Sequence, residues 1–202
     1  FIKGNIYRIS GQKQVIMIQS EFNAGRHAFD VTNASAAQAF GIKKTGALDP
    51  YQSPQRQYFS TAHKDKEGYF TPTYIVPVVL GYNTNMVKRN EAPKRYEDLL
   101  EPRWKGNMIL DIEEFPWFAV ILKHYGREKG LDYMRRLAKQ EIMMGRGRTT
   151  QAQLISAGER AIGIALNSSS VLDFKTRRAP LDWTILDPYY AKPNMLMFAR
   201  HA

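Results

Sequence analysis

The chain has 202 residues, of which 44% are hydrophobic, and its 29 Lys+Arg against 19 Asp+Glu give a formal net charge of +10. No apolar run approaches the roughly 18 residues of a membrane-spanning helix, and the absence of Cys excludes disulfides and thiol catalysis. The densest basic cluster, Lys123 to Arg136, is interleaved with Glu128 and Asp132, so the basic excess reads as a solvated exterior with no nucleic-acid partner.

Asn5 to Ile9 alternates in the manner of a strand. Gln12 to Asn23 spaces Val15, Ile16, Ile18 and Phe22 along one helix face, with Gly25 as its stop. Ala28 to Thr32 is the next strand, and Asn33 to Ser35 caps an Ala-rich helix that ends before Gly46. Asp49 to Pro54 is turn chemistry, and residues 55–70 show no period, which predicts a surface excursion. Thr73 to Tyr82 is a long apolar run interrupted by Pro77, a residue suited to a strand edge or a crossing between domains. Glu91 to Leu100 predicts a short helix and Met108 to Asp111 a strand. Glu113 to Tyr125 is a helix with Pro116 in its first turn, and Arg127 to Lys139 an amphipathic helix. Glu141 to Met144 and Ala161 to Leu166 are strands on either side of a helix stopped by Gly158. A last helix, Val171 to Arg178, precedes strands Trp183 to Leu186 and Met195 to Ala199. Alternating strands and helices predict α/β architecture with largely parallel sheets.

The stretch Gly145 to Ser170 carries the densest signal. Thr149 or Thr150 is placed to cap the helix after Gly147, and Asn167 with Ser168 to Ser170 offers caps to the next. Two helices following neighbouring parallel strands open on one sheet edge, where open α/β sheets bind ligands. Free amides, hydroxyls, Arg146 and Arg148 make that edge receptive to anions; the alternative is that Arg148 points to solvent and the hydroxyls only cap. Gly145-x-Gly147 lacks the third glycine of a dinucleotide fingerprint, since Thr150 stands there, and no cofactor is expected. Asp111, Glu113 and Glu114 form an acidic knot that the dipole of the following helix explains. His27, His63, His124 and His201 are scattered without ligand spacing, so no metal site is expected. Serines 168 to 170 lack the glycines of a hydrolase elbow, and no enzyme is read. Tyr189 and Tyr190 stay open between ligand contact and aromatic packing.

In order along the chain, Glu21 to Val31, Leu48 to Pro54, Val78 to Asn85, Tyr96 to Gly106, Trp117-Phe118 and Arg146 to Glu159 resemble the periplasmic substrate-binding proteins of ABC transporters. The nearest branch is the ferric-iron type and its relatives for other, often anionic, solutes. The resemblance implies a type II periplasmic-binding fold, in which two α/β lobes joined by hinge strands close on ligand. It places lobe 1 at residues 1–77 plus 193–202 and lobe 2 at 78–192, with crossings at Tyr74 to Leu80 and Lys192 to Met195. It also implies an exported, periplasmic or extracellular receptor that hands a small anionic solute to an ABC permease. Arg148, Thr149, Thr150, Asn167 and Ser168 are expected to hold the anion, Asn33 and Ser35 to face them, Tyr74 to sit at the hinge, and Asp111, Glu113 and Trp117 to line the rim. The other readings are the ligand-sensing domain of a transcriptional regulator and, more weakly, ferric-iron binding or an enzyme on the same fold.

Two departures from the family pattern shape the expectation. Adjacent tyrosines that bind ferric iron in that branch are replaced here by Asn167 and Ser168 to Ser170. The family also begins before Phe1 and continues past Ala202. The first lobe is therefore expected to be incomplete, as a processed or partial chain, or to be completed by a second chain.

Overall fold

The computed structural model describes residues 3–9, 11–26 and 29–200, apart from the side chain of Ala62. Phe1, His27, Ala28, His201 and Ala202, named above, lie outside the described residues. In chain order the elements are α1 (Gln12–Asn23), β1 (Val31–Ser35), α2 (Ala36–Lys44), β2 (Leu48–Asp49), β3 (Thr71–Asn83) and β4 (Met108–Asp111). There follow α3 (Phe115–Tyr125), α4 (Arg127–Ala138), β5 (Met143–Gly145), α5 (Arg148–Ser156), β6 (Ile162–Asn167), α6 (Ser168–Thr176), β7 (Leu181–Thr184) and β8 (Ala191–Ala199). They fall into two compact units: one takes the chain up to Ile75 and again from Lys192, the other is Val76–Ala191.

In unit 1, β8 lies between β1 and β2 and is antiparallel to both, with Ala34 opposite Met195 and Leu48 opposite Ala199. Met195 and Met197 alternate inward along β8 and meet Ile18 of α1, Ile42 of α2 and Leu48. The amide of Gln14, buried on α1, donates to Thr32 Oγ1 at 2.8 Å and to Asn33 O at 3.1 Å, which ties the helix to β1. Residues 55–70 contain two 3-10 turns, Pro54–Tyr58 and Thr61–His63. The Arg56 guanidinium pins this segment by bonding the carbonyls of Asp65 and Phe70.

Unit 2 is built on a mixed sheet. Strands β4, β5 and β6 are parallel with β4 central, β3 is antiparallel to β6, and β7 is antiparallel to β3. Met108 and Leu110 of β4 face the cluster that holds Trp117 and Ile121 of α3 and Tyr133 and Leu137 of α4. Ile109 faces the opposite way, toward Ala152 and Ile155 of α5 and Val171 of α6. Gly163 is required by this packing, because a Cβ there would overlap Ile155 and Leu166. Ala165 takes a positive φ of 59° opposite a register shift in β3. The irregularity turns Leu166 onto the α5–α6 face, where the alternation alone would not place it.

Several expected boundaries moved, each for a physical reason. Residues 5–9 form no regular element; Ile6 is 94% exposed, so the alternation has no sheet to join. The strand expected to end at Thr32 runs on to Ser35 because β8 pairs that far. Pro77 does not break β3, since it stands just before the first β6 pair, Val78 with Asn167. The helix expected over 91–100 is only a 3-10 turn, Tyr96–Leu100. Pro93 forces extended geometry on its neighbour, and Asp98 Oδ2 takes the amides of Lys94 and Arg95 at 2.8 and 3.0 Å. Glu141 has φ 54°, which delays β5 to Met143. The strand expected over 183–186 is Leu181–Thr184, in register with Asn83 to Leu80.

Candidate functional site

The parallel strands of unit 2 deliver Asp111, Gly145 and Asn167 to one sheet edge, and each strand leads to a helix N-terminus there. Glu114 is the N-cap of α3, Gly147 of α5 and Asn167 of α6. Strands lie about 4.8 Å apart, so the ends of β6 and β5 flank that of β4 within roughly 10 Å. Helix α5 packs against α6, β4 and β6. Three positive helix ends thus gather at one edge, and what distinguishes them is what already sits on each.

Asp111 is buried, and its carboxylate is spent on the backbone. Oδ1 accepts from Glu113 N at 2.9 Å and Oδ2 from Gly147 N at 3.1 Å. Gly147 holds φ 93°, a left-handed conformation that suits glycine. Glu114 is buried too, with its side chain 1% exposed. Arg148 Nη2 donates to Glu114 Oε1, and the Tyr190 hydroxyl donates to Oε2 at 2.9 Å. Tyr190 is itself anchored, because its carbonyl accepts from Val78 N at 3.1 Å. Burial first, then the neighbouring Glu114 carboxylate, raise the Tyr190 pKa, with Arg148 opposing. The phenol therefore stays protonated and donating.

Protein carboxylates consequently stand at the starts of α3 and α5. The start of α6 differs in its cap residue: Asn167 is neutral, and like the caps of α3 and α5 it makes no side-chain cap bond. Asn167 Oδ1 is buried without a hydrogen-bond partner. Ser168 and Ser170 are half-buried and Ser169 is exposed.

The expected site residues divide accordingly. Asp111, Arg148, Thr149, Thr150, Asn167 and Ser168 do share this edge of unit 2. Thr149 and Thr150 are exposed in the first turn of α5 but do not cap it; Gly147 holds the cap position, and Asp111 reaches its amide. Arg148 is neither a free cation nor turned wholly to solvent, because Glu114 engages it. Glu113 is exposed. Trp117 is not at a rim: it is 1% exposed inside the unit 2 core, its ring 6.0 Å from that of Tyr96, since α3 turns that face onto the sheet. In unit 1, Asn33 Nδ2 donates to Thr73 Oγ1 at 3.0 Å, Ser35 forms a capping box with Gln38, and Tyr74 is 52% exposed. Sequence reasoning passed over the roles of Glu114 and Tyr190. The dipole of α3 is a sufficient local reason for the acidic knot, and nothing local links Glu114 to an arginine 34 positions on. Among the described residues, no group of three or more His, Asp or Glu is placed to hold a metal ion.

A family model described as bacterial extracellular solute-binding protein matches residues 31–190. The chain belongs to that family. Among solved structures similar to this solute-binding protein is the periplasmic binding protein P5PA, with TM-score 0.79 and 18% identity over 94% of this chain and 63% of that one. A second is AfuA of Actinobacillus pleuropneumoniae with fructose-6-phosphate bound, at TM-score 0.76 and 20% identity over 94% of this chain and 63% of AfuA. A third is iron-bound HitA of Pseudomonas aeruginosa, at TM-score 0.78 and 16% identity over 93% and 63%. The solute-binding protein thus shares the periplasmic-binding-protein fold while spanning about 63% of the length of these chains. Among the described residues, no helix is long and apolar enough to cross a membrane.

Proposed function

We propose that this solute-binding protein is a non-catalytic receptor that captures a small anionic solute at the carboxyl edge of unit 2. In this reading it works outside the cytoplasmic membrane and passes the solute to an ABC permease. The observation that carries the reading is the start of α6, where the neutral Asn167 is the cap residue, while Glu114 caps α3 and Asp111 reaches the Gly147 cap of α5. A helix N-terminus favours a negative group by about 0.3–1 kcal/mol, and by up to about 2 kcal/mol when partly buried. The amides and hydroxyls of Ser168 to Ser170 supply donors, and the Asn167 side chain, with its unsatisfied oxygen, offers an acceptor to a ligand hydroxyl.

Ferric iron is the poorer fit. Iron held by phenolates needs tyrosines at the ligand edge; Asn167 and Ser168 to Ser170 stand there instead, and the Tyr190 hydroxyl is bonded to Glu114. That AfuA is seen with fructose-6-phosphate and HitA with iron supports both ligand classes for the fold, so the choice rests on this chain's own residues.

A thermal-shift screen of carboxylates, phosphate esters, phosphonates, ferric citrate and neutral sugars tests the reading. A ligand at 100 times its dissociation constant stabilises the fold by about 2.7 kcal/mol, enough to detect. Organic anions should shift the melt, and Asn167→Ala and Ser168→Ala should each weaken the shift. A shift caused only by neutral sugars or by iron would reject it.

A further inference from the structure

We infer that unit 2 carries a second recognition surface, separate from the carboxyl edge: a tyrosine-walled cavity that seats an arginine side chain of a partner protein. The cavity has a volume of about 460 Å3 and opens where the end of α3, the face of α4 and the 3-10 turn Tyr96–Leu100 meet. Tyr125 is the last residue of α3, at the opposite end of that helix from Glu114 and the carboxyl edge. The cavity therefore does not depend on the reading of the α6 start.

The floor of the cavity is aromatic. Tyr133 is buried, and its hydroxyl donates to Tyr96 O at 2.9 Å. The Tyr125 ring stacks on it, 5.6 Å between centroids and inclined by 24°. The Tyr125 hydroxyl donates to Glu97 Oε1 at 2.5 Å, which fixes that carboxylate beside the rings. Helix α4 adds Glu128 and Asp132, one turn apart, where like charges repel, together with Lys129 and Arg136. All five charged residues are exposed, and among the described residues none of them is in an ion pair.

Three carboxylates against two cations leave the choice of occupant to the tyrosines. An anion laid on aromatic rings beside Glu97 meets the negative ring face as well as the carboxylate. A guanidinium lies flat on such rings and bonds a carboxylate through its planar fork, whereas the ammonium of lysine is more strongly hydrated. Sites for small ligands are mostly apolar and enclose the ligand. Here a buried tyrosine floor is ringed by solvated charges, which is the anatomy of a protein interface. Lys129 and Arg136 then take acidic neighbours of the partner's arginine.

The test is an NMR titration of isotope-labelled full-length protein with N-acetyl-arginine amide, which carries the side chain without the charges of a free amino acid. The amides of Glu97, Tyr125, Glu128 and Asp132 should move, and those of Ser168 to Ser170 should stay still. N-acetyl-lysine amide should bind at least about threefold more weakly, and N-acetyl-glutamate amide should leave these amides unmoved. Glu97→Gln and Asp132→Asn, both at exposed side chains, should each weaken the arginine amide about two- to fivefold, the range of an exposed ion pair. The inference is overturned if the arginine amide moves none of these amides or moves Ser168 to Ser170 instead. It is equally overturned if the lysine or glutamate amide binds as tightly, or if both substitutions leave the affinity unchanged. Free arginine binding more tightly than its blocked amide would also overturn it, since the cavity would then be a site for a small solute.

Discussion

The Tyr190 hydroxyl donates to Glu114 Oε2 at 2.9 Å, joining the last turn of chain before β8 to the cap of α3. Replacing Tyr190 by Phe removes that donor from a buried carboxylate, which costs about 1–3 kcal/mol. Urea unfolding of Tyr190→Phe should show a lowered midpoint with an unchanged slope. A loss below about 0.5 kcal/mol, the range of an ordinary surface substitution, would mean that the bond does not stabilise unit 2.

Alkaline pH should unfold the protein through its tyrosines. Burial is the main cause that raises the pKa values of Tyr125, Tyr133 and Tyr190, and Glu97 and Glu114 reinforce it at Tyr125 and Tyr190. A phenol whose folded pKa lies above its unfolded value, near 10, contributes stability that is complete below pH about 10. That contribution is lost as pH rises through the folded pKa, because the unfolded chain releases the proton first. The loss is about 1.4 kcal/mol per pH unit for each such group. Lys43, raised by its bond to Asp65, acts in the same direction. Stability from urea titrations should be flat between pH 8 and about 9.5 and should fall steeply beyond about 10, with tyrosinate absorbance appearing as circular dichroism is lost. Ionisation of these tyrosines in a protein that keeps its native dichroism would contradict this.

Gln151 is buried beneath the site, and its Nε2 bridges Ile109 O of β4 at 3.0 Å and Ile164 O of β6 at 2.9 Å. Gln151→Met keeps the volume and removes both bonds. A destabilisation of about 1–3 kcal/mol is expected, together with faster amide exchange in β4 and β6. A neutral substitution would show that the bridge is incidental.

Gly147→Ala tests the turn that presents Arg148. Its φ of 93° strains any residue with a Cβ, although the nearest atom a Cβ would meet, Thr150 Oγ1, is at an ordinary 3.7 Å. The cost is then conformational, about 1–2 kcal/mol, and the bond from Gly147 N to Asp111 should weaken with it. Calorimetry should find a lowered melting temperature; an unchanged one would mean that the turn relaxes freely.

Periodicity and caps made much of unit 2 legible. Met108–Asp111 is the strand that its apolar run announces, Pro116 does lie in the first turn of α3, and α1 runs from Gln12 to Asn23 as its spacing requires. What stayed hidden depends on distant pairing. The end of β1 is set by β8, more than 150 positions away in sequence. The cap of α5 is taken by Gly147 because Asp111 reaches across from β4, so the hydroxyls of Thr149 and Thr150 were a sound local signal for a role that the fold gave elsewhere. The ion pair stayed hidden for the same reason: Arg148 alone looks like a free cation, and only the folded neighbourhood shows Glu114 beside it.

The most direct measurement of the central claim is hydrogen exchange on the full-length protein, with and without the anion that raises its melting temperature most. Bound at the start of α6, the anion should slow exchange at residues 168–170, and Asn167→Ala should diminish that protection. Protection that maps elsewhere and leaves residues 168–170 unchanged would contradict the account.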